Sequence, residues 1–442
     1  MKASNVLIIL ICLLTTAVFS VLYVYRYVYQ KDLVADTVRT SHSVADAAAG
    51  GDTSTNASPL PETFAPPAVS YSVLPRAPYT YDGVSVGVTG TKGDESLLDY
   101  FAFGGNVYAV VAVDTDGEDY RATSPSIGVA RFDGACTLYD SVTLADSAGY
   151  SYLAACLYDY GLVLVAASST QLKLWWVGAN LSVRSVAYPY VVSAAKAVYD
   201  NGRVVVCATG GSVHLLAFSA DESLLFYHTA PAEGKSICEL YAYAGEYIAL
   251  CGDAYAAFAF RFDADGYLSR AVLPAVDAIT PYRDGFAIAN VADAKLYLFD
   301  YRFARTGELS FSRAQKVLLC SYDNGVLLLA CGTQTTGYLL CNHAEVQYSF
   351  AFDAQGVAQL QYAEGRFYFA AATLGSVKLY AYAPFDDAPV VVASFLGAVN
   401  TRIWGGRYLY CLCESQFTYG YFSGCLGGRD VYLLRMDNPL RR

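Results

Sequence analysis

Beyond residue 80 the chain is a succession of short apolar runs separated by tight polar turns. No stretch there carries apolar residues at the three-and-four spacing of a helix face. One unit shows the grammar. Val317-Leu318-Leu319-Cys320 leads to the turn Tyr322-Asp323-Asn324-Gly325, and Val326 to Cys331 returns from it. Asn-Gly at the tip supplies the positive φ values of a two-residue hairpin. A third run ends in an aromatic and an aspartate, as in Phe258-Ala259-Phe260-Arg261-Phe262-Asp263 or Leu296-Tyr297-Leu298-Phe299-Asp300. A turn such as Ala264-Asp265-Gly266 then opens a fourth run, Tyr267 to Leu273.

The first turn of this unit recurs. Its glycines are Gly105, Gly161, Gly202, Gly245, Gly285, Gly325, Gly365 and Gly406, spaced 40 to 43 residues apart after a first interval of 56. Four strands in roughly forty residues is the signature of a propeller blade. The expected fold is therefore all-β, an eight-bladed propeller over residues 70–442, with seven blades as the alternative. The last blade has only three strands, ending near Met436, whereas an unassigned strand near residues 80–90 precedes the first full blade. Pairing the two covers a bare sheet edge and closes the ring.

Units such as Asp200-Asn201-Gly202-Arg203-Val204-Val205-Val206, followed by Gly210-Gly211-Ser212-Val213-His214-Leu215-Leu216-Ala217-Phe218, resemble quinoprotein-like propellers. That group includes outer-membrane assembly propellers. The tryptophan that usually closes each quinoprotein repeat is missing, as are Trp-Asp and kelch signatures. The resemblance implies the fold and transfers no active site.

Upstream, residues 6–25 carry no charge, and as a helix they would span about 30 Å, the thickness of a hydrocarbon core. Tyr23, Tyr25, Tyr27 and Tyr29 flank Arg26, as expected at a membrane interface. Apolar residues resume after Thr15-Thr16-Ala17, which favours an uncleaved anchor in residues 1–31 over a signal peptide. Residues 32–69, with Pro59, Pro61, Pro66 and Pro67 and few large apolar side chains, read as a disordered tether. The short amino-terminal tail fits a signal anchor that exports the body, although Arg26, Lys31 and Arg39 outnumber Lys2 across the span. The expected address is a single-pass membrane protein with an extracytoplasmic propeller.

Composition narrows the partner. The 442 residues are 55% hydrophobic and carry a net charge of −11, which argues against nucleic acid as a partner, since that needs a basic face.

Candidate chemistry is sparse. Gly83-Val84-Ser85-Val86-Gly87 fits a serine-hydrolase pattern but sits in an alternating strand with no helix after it. Eleven cysteines lie beyond the anchor. Cys207, Cys251, Cys331 and Cys411 occupy equivalent second-strand positions and read as buried thiols, and Cys238 and Cys251 straddle one hairpin turn. No zinc site emerges from Cys341-Asn342-His343 and the scattered histidines. The first strands offer Lys196, Glu239 and Arg402 for a site at the central channel.

Two links between second and third strands are long and fall in neighbouring blades. Asp114, Asp116, Glu118, Asp119 and Tyr120 lie in one, an acidic loop of which calcium is the one cofactor reading. Phe417, Tyr419, Tyr421 and Phe422 lie in the other. These loops either bind a protein or glycan partner or pack on each other to seal the seam. The function expected is a non-catalytic binding scaffold at the cell envelope, with a channel enzyme or a purely structural protein as alternatives.

Overall fold

The computed structural model describes residues 77–91, 93–113, 125–253, 255–323, 325–341, 346–373, 376–424 and 428–441. The expected anchor and tether lie outside them. Among the described residues no helix is long and apolar enough to cross a membrane.

These residues form eight antiparallel sheets. Seven are four-stranded blades of consecutive strands, over 95–143, 151–188, 192–231, 236–274, 278–310, 316–352 and 357–396. The eighth joins three strands of 399–437 to two from the amino-terminal side, Val84–Thr89 and Tyr79–Tyr81. The fold is an eight-bladed propeller closed between its ends. Val86 faces Leu434 and Val88 faces Tyr432 across the closing ladder. The run expected as one closing strand from Tyr81 is a hairpin, turning at Asp82-Gly83, both with positive φ.

Two kinds of glycine hide in the 40-residue period. Gly202 sits at a hairpin tip with Asn201, at φ 78° and 49°, the left-handed pair a two-residue turn requires. Gly285 and Gly325 are instead strand residues, paired with Tyr282 and Tyr322, so Gly325 is not at the tip where the sequence suggested it. A Cβ on either would overlap a carbonyl oxygen of the third strand, of Phe299 or Leu340.

Eight apolar clusters, each shared by neighbouring blades, complete the circle. Trp176 packs edge-on against Phe218 between the second and third blades. Leu412 and Leu433 of the eighth blade pack with Val107 and Ala109 of the first. Because strands alternate in direction, second-to-third links and the connections between blades emerge on one face, and the hairpin tips on the other.

Candidate functional site

First strands of neighbouring blades touch one another around most of the axis. Lys196 Nζ stands 3.9 Å from Glu239 Oε2, both partly exposed. Sequence reasoning missed other axial groups. Tyr152 donates its hydroxyl to Asp99 at 2.7 Å, and Tyr100 bonds Gln361 and Gln359 on the seventh blade. Burial, and after it the Asp99 charge, pushes the Tyr152 phenol far above its ordinary value. Ser85 lies mid-strand opposite Arg435, with no strand-to-helix turn to expose it as a nucleophile.

The thiols serve packing. Cys207, Cys251, Cys331 and Cys411 are all buried and unpaired, and burial pushes Cys251 up to about 12. Cys238 occupies a bulge beside the pair Ile237 and Cys251, and both sulfurs are free. Among the described residues no group of three histidine, cysteine or carboxylate side chains is placed to hold a metal.

Asp114, Asp116, Glu118, Asp119 and Tyr120 lie outside the described residues, and the calcium reading with them. The strands that flank them do not. Val113, where one of these strands ends, and Ser126, where the other begins, lie on the face from which the long link of the eighth blade emerges.

The second link starts after Ser415, makes a short 3-10 turn at Gly420–Phe422, and re-enters the sheet at Asp430. Its four aromatics separate by role. Phe422 is 1% exposed and packs edge-on against Tyr432, whose hydroxyl donates to the Phe422 carbonyl. Tyr421 is wedged against Tyr81 and Phe395, and its carbonyl accepts the Tyr79 hydroxyl at 2.6 Å. Both rings join the closing strands to the seventh and eighth blades. Phe417 is half-buried over Gly397, where a Cβ would strike its ring. Tyr419 stands 54% exposed, edge-on to Phe417.

Phe417 also forms one wall of a solvent-open cavity of about 280 Å³ between the seventh and eighth blades. Ala358, Ala370, Ala372 and Ala398 line it, with Thr401, Arg402 and Arg429.

Beside the cavity is a carboxyl cluster with no signature in the sequence. Glu414, 3% exposed, accepts from the Leu97 amide at 2.7 Å and from Asn400 Nδ2 at 2.6 Å, and faces Arg429 at 3.4 Å. Glu95 and Asp430 are both buried. Burial first, and the neighbouring Asp430 carboxyl in addition, raises Glu95 to about 8 against the hydrogen bonds from Thr91. The cluster ties the first blade to the eighth.

No protein-family model matches the chain, and no curated protein matches it in sequence. Solved structures match in fold. BamB from Moraxella catarrhalis aligns at 13% identity and a TM-score of 0.51, covering 79% of this chain and 98% of its own. The computationally designed Ika8 protein aligns at 11% identity and a TM-score of 0.49, over 83% of this chain and 98% of its own. Hsv2 from Kluyveromyces lactis, with its loop 6CD replaced by a Gly-Ser linker, aligns at 9% identity and a TM-score of 0.43, over 60% and 92%. At such identities the likeness to BamB is one of fold alone.

Proposed function

We propose that the chain is a membrane-anchored, exported propeller that binds a protein partner without chemistry, through the face where its ring closes. One observation carries this. Tyr419 is displayed edge-on to Phe417, which walls a largely apolar cavity, on a loop that Tyr421 and Phe422 pin into the seam. Exposed aromatics on a fixed loop are favoured interface anchors, because little side-chain freedom remains to be lost on binding.

The test compares the full chain, in detergent, with a Phe417→Ser, Tyr419→Ser double variant as bait against an envelope extract. A protein retained by the first and lost from the second, with unchanged thermal midpoints, supports the reading. Equal capture by both removes this face as the binding surface.

A further inference from the structure

We propose that the cavity beside Phe417 takes the C-terminal residue of a partner protein, its apolar side chain against the alanines and its free carboxylate at Arg402. The inference rests on reading this face as the partner surface, and it specifies what the partner presents.

Size limits the ligand first. At about 280 Å³ the cavity stands at the small end of the ~300–1,000 Å³ range of ligand sites. It suits a single side chain with its backbone end. The alanine wall calls for an apolar group.

Charge sets the second requirement. The chain is acidic overall, at −11, yet two arginines line this cavity. Arg429 is paired with Glu414. Arg402 has no carboxylate partner among the described residues: one nitrogen donates to Asn400 Oδ1 at 3.0 Å and to the Thr401 carbonyl at 3.3 Å. A guanidinium has five donors in a planar fork that matches a carboxylate. Thr401 is 3% exposed, lines the same cavity, and its Oγ1 has no hydrogen-bond partner among the described residues. A buried hydroxyl without a partner costs about 1–3 kcal/mol, and a ligand oxygen would recover part of it.

The two requirements meet in one chemical group. In a C-terminal residue the carboxylate and the apolar side chain branch from the same carbon, so both can be engaged within one small cavity. An internal aspartate or glutamate carries its charge at the end of its only branch and would leave the alanines uncovered.

The probes are N-acetyl-L-leucine, its amide and acetate, titrated into the full chain in detergent by ligand-observed NMR. The acid should bind at least tenfold more tightly than the amide or acetate. Arg402→Gln, which breaks no ion pair among the described residues, should abolish that preference and leave amide binding unchanged, and Thr401→Val should weaken the acid several-fold. Equal affinity for acid and amide, or a preference that survives Arg402→Gln, overturns the proposal, as does acetate binding as tightly as the acid. Partner capture that depends on Tyr419 while the acid fails to bind would sink this inference and leave the scaffold reading standing. Acid preference lost in Arg402→Gln, with capture indifferent to Tyr419, would support the cavity's carboxylate chemistry and refute the scaffold reading.

Discussion

Glu95→Gln should make the protein more stable, and only at neutral to alkaline pH. Glu95 opens the first strand of the first blade and is 1% exposed. One carboxyl oxygen accepts from the Thr91 amide at 2.9 Å and from its hydroxyl, and the buried Asp430 carboxyl is a neighbour. Its folded value is raised from the ordinary 4.5 to about 8. Between those limits the native state holds a proton that the unfolded chain has released. Native protein thus binds more protons, and stability must fall as pH rises through this window. At about 1.4 kcal/mol per pH unit the full loss approaches 5 kcal/mol, an upper figure for a group so close to a second carboxyl. Glutamine keeps an acceptor for Thr91, offers an N–H toward Asp430, and cannot ionise. Urea midpoints of the full chain, measured at pH 5, 7 and 9 at one ionic strength, should start nearly equal for the two proteins. They should then separate in the variant's favour, by several kcal/mol at pH 9. Parallel profiles would show that Glu95 ionises normally in the folded ring, and the account of the cluster would fail.

The closing ladder gives a second prediction. Val86 is fully buried opposite Leu434, so Val86→Asp should cost about 3–5 kcal/mol and free an unpaired edge, read as a lower thermal midpoint and as aggregates on size exclusion. The two glycine roles should separate in thermal melts. Gly202→Ala, at a solvent-open tip, should cost about 1 kcal/mol, and Gly285→Ala, against the Phe299 carbonyl, clearly more. The buried thiols Cys136, Cys207, Cys251 and Cys413 should react with a thiol-specific chromogen only after unfolding, because burial raises the first three and the hydrogen bond with Cys411, with burial added, raises Cys413. Rapid native-state labelling of Cys207, read by mass spectrometry, would refute that packing.

Legibility divides along sequence separation. Turn chemistry is local, so Asn201-Gly202 announces its hairpin from two letters, and the repeat count follows from eight such places. Closure was legible as a missing fourth strand in one place and a spare one in another. The same logic could not separate Gly325 from Gly202, because steric crowding by Leu340 acts across the sheet rather than along the chain. Glu95, Glu414 and Asp430 were opaque for a stronger reason. More than 300 residues separate Glu95 from its partners, and only the closed ring brings them together, so no spacing rule marks them. The loop aromatics were found as a group and could not be sorted. Phe417, Tyr419 and Tyr421 stand two apart as on one face of a strand, but the segment is not a strand, and which ring turns inward depends on Tyr432, Tyr81 and Phe395.

That sorting makes closure and display separable by mutation. Lengthening a surface loop costs little, about 0.6 kcal/mol per doubling, so the eighth blade can carry a long link without losing its sheet. The larger cost is that a slack loop presents its anchors poorly. Phe422 and Tyr421 reduce that slack by docking into the apolar cluster that the closing strands share with the seventh and eighth blades. Phe422→Ala should therefore lower stability by about 3–5 kcal/mol, the range for a buried phenylalanine, and weaken partner capture as the loop loosens. Tyr419→Ser should leave the thermal midpoint within about a degree and weaken capture alone, since the Tyr419 ring touches only Phe417 among the described ring pairs. If Phe422→Ala destabilises the ring but captures the partner as well as the parent protein does, the loop needs no docking to present Tyr419. The seam and the surface would then be independent features that share a segment of chain.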